Sequence, residues 1–232
     1  MKFYFTVLYG LWLMIGSSAH AEVKGTVLWY AEREAGIEPY RVRYIVTPGF
    51  MRSDEGDDKG GFVLFDRALR QIYSVVPQNR TILNIDGEGE VPQVPSTLSI
   101  EVRRSVDEKA PKVADKSPVT LELLADGELC YTAAIVPDHL QEAREALQEF
   151  ALALAIQQSR TLAATPKEYQ TPCFLARYLY ATDFYLSQGI SLLDWSEDGQ
   201  RRELFDYQDG VELDAVLFEL PDDFAIIKPP GQ

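Results

Sequence analysis

The sequence predicts an α+β fold, with one curved antiparallel sheet and two helices on its concave face. Three observations carry this. Residues 23–85 form a succession of short segments with strand periodicity. From Pro137 the apolar spacing changes to three and four residues, the period of a helix. After Gly189 the strand pattern returns.

Thr26–Glu32 (TVLWYAE) is the first expected strand. Tyr40–Thr47 (YRVRYIVT) is the clearest. Tyr40, Val42, Tyr44 and Val46 fall on one face and Arg41 and Arg43 on the other, which is the two-residue period of a half-buried strand. Pro48-Gly49 breaks it, and FMRSD resumes. Gly61–Asp66, Arg70–Val76 and Arg80–Asp86 follow, separated only by RAL and PQN. A parallel crossover needs roughly a dozen residues, so these gaps dictate antiparallel hairpins in a meander.

Residues 51–67 (MRSDEGDDKGGFVLFDR) pack Asp54, Glu55, Asp57 and Asp58 with three glycines between two apolar runs. An EF-hand loop starting at Asp54 would need Gly at its sixth position and Glu at its twelfth. Lys59 and Phe65 stand there instead. The stretch reads as a turn between strands, where Asp and Gly supply the geometry; an irregular cation site at 54–58 is the other reading.

Residues 87–95 (GEGEVPQVP) are a loop, and Leu98–Val106 is a strand by alternation. Residues 107–118 are polar and charged, without apolar content for a core of their own. Val119–Val136 is a hairpin about Asp126-Gly127. With those two residues at its centre, Leu123 is expected opposite Cys130 and Leu121 opposite Thr132. Cys130 then shares the inward face of Val119, Leu121 and Leu123.

Asp138 as N-cap, with Gln141 three residues on, opens the first helix. Leu140, Ala143, Leu147, Phe150, Ala151 and Leu154 form its apolar stripe, and it is expected to end near Arg160. The second helix starts at Thr171 as N-cap with Pro172 in first position, and Gly189 ends it. Ile190–Gln208 is another strand–turn–strand unit about Asp198-Gly199, and Ala215–Leu220 is the closing strand before a Pro-rich tail.

The N-terminus reads as an export signal. Lys2 precedes an apolar run from Phe3 to Gly16, and Ala19-His20-Ala21 has the small-x-small pattern of a signal-peptidase site. A spanning helix needs about 20 apolar residues, so the run is short for an anchor. The expected organisation is a signal peptide over 1–21 and a single domain over 22–232, soluble in the bacterial periplasm, with no membrane span after cleavage. An uncleaved anchor is the other reading.

Composition removes several function classes. The chain carries 22 Lys+Arg against 36 Asp+Glu, a formal charge of −14. That repels the phosphate backbone, so nucleic acid is not an expected partner. Of two histidines, His20 lies in the signal segment and only His139 remains. Catalytic triads and zinc sites need imidazoles the mature chain lacks, so no catalytic, metal or cofactor residue is assigned. His139 is expected to be a solvated first-turn residue. Cys130 and Cys173 are the only cysteines; in an oxidising compartment they are expected to pair. That bridge would pin the first turn of the second helix onto the inner face of the hairpin.

The stretch YRVRYIVTPGFMRSDEGDDKGGFVLFDRALRQIYSVVPQNRTILNI resembles the core of the periplasmic lipoprotein-carrier (LolA-like) superfamily. A strand is followed there by an Arg-containing strand, then by a hairpin like FVLFDR leading through QIYSV to RTILNI. AVLFELPDDF is similar to the closing strand of that group. The resemblance covers roughly residues 23–85 and 190–224. It implies an incomplete antiparallel barrel whose concave side is covered by helices, a cavity that in the carrier holds lipoprotein acyl chains. This chain departs in lacking a helix before its first strand, so any lid must come from the two mid-chain helices.

Two functions from different classes follow. One is a non-enzymatic binding protein that shelters an apolar ligand, an acyl chain or something lipoprotein-like. Trp29, Tyr40, Tyr44, Phe62 and Tyr73 on the strands and Leu147, Phe150 and Leu154 on the helix are its expected lining. The other is a protein-interaction or envelope-maintenance factor with a filled core and no ligand, whose sheet edge and acidic surface meet an envelope partner. An enzyme would have to use paired carboxylates; Asp194 and Glu203, expected to face each other across the last hairpin, are the candidates.

Overall fold

The computed structural model describes residues 22–229; the signal-peptide and cleavage expectations lie outside the described residues. Twelve strands build one sheet among the described residues. They are β1 (Glu22–Arg33), β2 (Tyr40–Val46), β3 (Phe50–Asp54), β4 (Phe62–Asp66), β5 (Gln71–Val76), β6 (Thr81–Asp86), β7 (Ile100–Val106), β8 (Val119–Ala125), β9 (Glu128–Pro137), β10 (Gly189–Trp195), β11 (Arg201–Asp214) and β12 (Ala225–Ile227). Their spatial order is β12-β6-β5-β4-β3-β2-β1-β11-β10-β9-β8-β7, open at both ends and not closed into a barrel.

The expected meander is β2 to β6, each strand beside its neighbour in sequence. β1 joins it to the C-terminal half by pairing with β2 on one edge and β11 on the other. Among the described residues the pairings are antiparallel with one exception, β12 beside β6, which is parallel. The tail read as merely Pro-rich thus supplies an edge strand.

The sheet buries both faces. One face carries the larger core, including Leu28, Tyr30, Val46, Met51, Phe65, Ile72, Leu121, Leu123 and Ile135. The other carries a smaller cluster of Val27, Ile45, Leu64 and Phe218. Ala215–Phe218, expected as strand, is a 3-10 turn. The Asp214 carboxylate accepts from the Val216 N–H at 3.0 Å and starts the turn. Phe218 then stacks on Phe50 with centroids 5.7 Å apart, closing that face.

The larger core is covered by α1 (Gln141–Thr161) and by α2 (Pro172–Leu175), which continues into a π turn over Ala176–Tyr180. Ala143, Ala146 and Ala153 are fully buried, small residues that let α1 lie close to the sheet. Gly87 marks the closest approach: a Cβ there would sit 2.5 Å from the Ala153 Cβ. Arg67 clamps the helix from the sheet side, with Nε and Nη2 donating to Glu149 at 2.7 and 3.0 Å.

Four local expectations need correction. Asp138 does not cap α1; it adopts φ 48°, and Leu140 occupies the N-cap position with no side-chain cap. Leu140 is 9% exposed, so burial of its side chain outweighs a polar cap. His139 accordingly lies before the helix, its ring edge-on to Tyr207 at 5.2 Å. Leu154, expected on the apolar stripe, is 40% exposed. The second helix stops at Tyr180, and Gly189 opens β10 instead of ending a helix. Thr171 does cap α2, accepting from the Phe174 N–H at 3.2 Å.

The fourth correction is register. Asp126-Gly127 is the hairpin turn, with φ of 50° and 84°. Yet Leu123 faces Tyr131 and Leu121 faces Ala133, one residue from the expected pairing. The register shifts between Leu123 and Leu124 and leaves Cys130 as the extra residue of a bulge. Cys130 still points inward, 3% exposed. It forms a disulfide with Cys173, Cα atoms 5.1 Å apart, and so ties the start of α2 to the hairpin.

Candidate binding trough

Residues opposite one another in antiparallel strands share a face. Tyr44, Ser53, Val63 and Ser74 are successive partners across β2 to β5, and Tyr44 and Val63 pack against the larger core. This row therefore lies on the face that α1 covers. α1 reaches the sheet at Phe65, where the Phe150 ring is 5.7 Å away. Beyond it, an open cleft of about 590 Å³ remains, lined by Tyr40, Val42, Ser53, Val63, Ser74 and the acidic Glu55 and Asp57.

A second cleft of about 220 Å³ adjoins it. Tyr44, two residues along the same face of β2 from Val42, lines its wall with Glu32, Tyr131, Tyr185, Asp194 and Arg202. The two clefts share no lining residue, and α1 contributes none; they lie along one strip of the sheet from β9 to β5, here called the trough.

The floor of the second cleft is a buried polar cluster. Asp194, on β10, is fully buried. It accepts from the Tyr131 hydroxyl and from Ser191 Oγ, both at 2.5 Å. Arg202 Nε and Nη2 donate to it at 3.2 and 3.0 Å. Asp194 faces Arg202 and not Glu203, whose partner is Leu193. The carboxylate pair considered from the sequence is therefore a buried ion pair. Arg202 Nη2 also donates to the Tyr185 hydroxyl at 2.5 Å, and the guanidinium lies 4.7 Å from the Tyr30 ring centroid.

Burial pushes the hydroxyl pKa values of Tyr30, Tyr44, Tyr131 and Tyr185 up, against the opposing pull of Arg202. All four are neutral hydrogen-bonding groups at neutral pH. Glu32, on β1, is different. Desolvation raises its carboxyl pKa, and Arg202 opposes the rise. It accepts from Tyr40 and Tyr44 at the long distances of 3.3 and 3.5 Å. The trough thus offers apolar valine walls, tyrosine faces and one half-buried carboxylate, a surface suited to an elongated amphipathic ligand.

The expected lining residues divide among four places. Tyr40 and Tyr44 line the trough. Phe62 borders the first cleft while packing with Trp29 and Tyr73 against the cluster on the opposite face. Leu147 and Phe150 fill the layer between α1 and the sheet. Leu154 faces solvent. Sequence reasoning missed Glu32, Tyr131, Tyr185 and Arg202. Alternation could have placed Glu32 on the Tyr30 face of β1; Tyr185 lies in a segment of turns with no period to read.

In the acidic stretch 54–58, Asp54 and Asp58 form ion pairs, while Asp57 accepts the Lys59 N–H at 3.0 Å. Asp54 is held by Arg43 at 2.8 Å to each oxygen and by Arg52 Nε at 2.7 Å, and it accepts the Gly56 N–H at 2.8 Å. Burial alone would raise its pKa, but the bonds from Arg43 and Arg52 outweigh it and hold the carboxyl below the usual range. Asp58 accepts from Arg43 at 2.5 Å. Arg52 is 2% exposed and donates to the Leu217 carbonyl at 2.8 Å, so the network fastens the C-terminal turn to β3. Its carboxylates serve guanidinium groups. Among the described residues no group of three or more potential ligands could hold a metal ion, and no helix is long and apolar enough to cross a membrane.

No protein-family model matches the chain, and no curated protein matches it. Among solved structures, it is similar to an uncharacterized conserved protein from Thermus thermophilus, with TM-score 0.46, 9% identity, and coverage of 89% of this chain and 91% of that one. It is also similar to PNGF-II, with TM-score 0.41 and 9% identity over 90% of this chain. That match spans 31% of the PNGF-II chain. At these scores neither likeness assigns a fold family or a function.

Proposed function

We propose that the protein is an exported, non-enzymatic periplasmic protein, a LolA-like incomplete barrel, that binds an acyl-chain-bearing ligand in the trough on its concave side. The observation that carries this reading is the trough itself, about 590 Å³ in its larger cleft, where Val42, Val63 and Tyr40 lie among Ser53, Ser74, Glu55 and Asp57. An acyl chain would lie along the valines and a polar head beside Glu32 and the tyrosines. The ligand lies beside α1 and not beneath it, because Phe150 and Leu147 already occupy the layer under the helix. No α1 residue lines either cleft, so the helix is not expected to move on binding.

The test pairs ligand capture with placement. Native mass spectrometry of protein recovered from a bacterial periplasm should show a co-purifying lipid, and a fluorescent fatty acid should bind the emptied protein. Ser74→Arg, which fills the cleft from a strand position, should abolish binding without unfolding the chain. Wild type that binds no fatty acid and carries no lipid refutes the reading.

One observation favours a second reading. The layer between α1 and the sheet is filled, with Ala143, Ala146 and Ala153 fully buried. A filled core suits a protein-interaction or envelope-maintenance factor, which needs a docking surface and no cavity.

A further inference from the structure

The sheet ends at β7, and that end is bare. Every residue of β7 except Ile100 is exposed. Val102 is 39% and Val106 46% exposed. β7 pairs with β8 from Ile100 opposite Ala125 to Val106 opposite Val119 without a register shift. Its outer edge is therefore a straight row of backbone N–H and C=O groups with no ladder partner among the described residues. Proteins usually blunt such an edge with proline, a bulge, a very short strand or charged side chains, and of these β7 has only the charges of Glu101, Arg103 and Arg104. β7 is seven residues long and contains neither proline nor bulge, whereas β12, at the opposite end, has three residues.

We propose that β7 pairs antiparallel with β7 of a second copy of this chain, about a two-fold axis through Val102. The strand's own charges select this register. A two-fold axis normal to the sheet must pass through a residue, because paired residues share a face. Registers that join at least five of the seven residues of β7 centre on Val102, Arg103 or Arg104. The last two place an arginine directly opposite its own copy, which is unfavourable. Centring on Val102 puts Val102 against Val102 and puts Glu101 of each copy opposite Arg103 of the other. Glu101 and Arg103 already pair within one chain at 2.8 Å, with both side chains 55% exposed. Dimerisation exchanges those two solvent-exposed pairs for two cross-strand pairs. The strand itself, IEVRRSV, holds two arginines against one glutamate, so the edge escapes the repulsion expected of a chain with net charge −14. The pairing is isologous and closes at two copies, because each chain offers its β7 edge once. It does not depend on the trough having a ligand.

Sedimentation velocity of the mature chain should give twice the chain mass at tens of micromolar. Glu101→Arg and Arg103→Glu should each sediment as a monomer, since either change sets like charges opposite one another. An equal mixture of the two variants should regain the dimer, because positions 101 and 103 then carry arginine in one copy and glutamate in the other. Val102→Cys should be joined into a covalent dimer by a short thiol-reactive bifunctional cross-linker, as its Cβ atoms would lie about 4.5–5.5 Å apart, wider than a direct disulfide spans. Circular dichroism of each variant verifies folding, which these exposed positions should leave intact. A monomeric wild type overturns the proposal. So does a dimer that survives both charge reversals, or a mixture of the two that stays monomeric.

Discussion

Asp194→Ala should destabilise the protein by about 3–5 kcal/mol, the usual cost of stranding one partner of a buried ion pair. Asp194 is fully buried and accepts four hydrogen bonds, from Tyr131, Ser191 and two nitrogens of Arg202. Its removal leaves the Arg202 guanidinium with the Tyr185 hydroxyl and the Tyr30 ring beside it and no carboxylate bound to it. It also strands two hydroxyls, each worth about 1–3 kcal/mol if no water replaces the acceptor. The Arg202 side chain is 18% exposed at the wall of the cleft, so water can reach part of it and the lower half of the range is expected. Asp194→Leu combined with Arg202→Met removes both charges. That double variant should recover the part of the loss due to the unpaired guanidinium, but not the part due to the hydroxyls of Tyr131 and Ser191, which still lack their acceptor. Urea unfolding of oxidised wild type, Asp194→Leu, Arg202→Met and the double variant at neutral pH, followed by circular dichroism, measures all four corners of the cycle. Single substitutions costing less than about 1 kcal/mol, or additive effects in the double variant, would refute the view that the cluster is one coupled unit.

Cys173→Ala should cost about 2–5 kcal/mol in the same assay, and non-reducing peptide mapping of wild type should recover Cys130 joined to Cys173. Gly87→Ala should lower the unfolding midpoint by the equivalent of about 1–3 kcal/mol, since its Cβ would lie 2.5 Å from the Ala153 Cβ and 2.6 Å from the Arg70 carbonyl. Glu32 has a raised carboxyl pKa in the folded state, chiefly from desolvation; the stability it contributes is complete below the unfolded value, near 4.5, and is lost as pH rises through the folded value. Glu32→Gln should therefore flatten that part of the pH–stability profile and leave the variant more stable than wild type at pH 7.

The strands of the meander were readable because residues 62–86 leave connections of only a few residues, and short connections permit one topology. The disulfide was readable from compartment chemistry, and the inward face of Cys130 from alternation. Of the site, Tyr40 and Tyr44 were readable, and much of the rest was lost to register. Side chains alternate with a period of two, so a one-residue error in register moves every partner to the opposite face. Such errors arose at the Cys130 bulge and at the β10–β11 hairpin, where Asp194 was set against Glu203 instead of Arg202. Neither bulge residues nor loop offsets leave a mark in a hydrophobicity pattern. The aromatic residues were misassigned for a related reason. Trp29 and Tyr73 have ordinary strand neighbours, but this sheet buries both faces, so an apolar side chain does not declare which core it joins.

The acidic composition conceals a division of labour among the arginines. Arg43, Arg52, Arg67 and Arg202 have side chains no more than 18% exposed, and each grips a carboxylate from another part of the fold or from its own strand. Arg52 and Arg43 converge on Asp54, Arg67 holds α1 through Glu149, and Arg202 neutralises Asp194. These cations are withdrawn from the surface, which leaves exposed carboxylates in greater excess there than a residue count suggests. Other arginines stay exposed and pair within their own strand, Arg201 with Glu203 on β11 and Arg103 with Glu101 on β7. Arg103 keeps its side chain 55% exposed, meets Glu101 of its own strand and lies opposite Glu122 of β8, interactions that water screens. Those four arginines are explained by what they fasten within the chain. The Glu101–Arg103 pair lies within β7, and in the proposed dimer a second copy of the strand supplies each residue with an opposite charge.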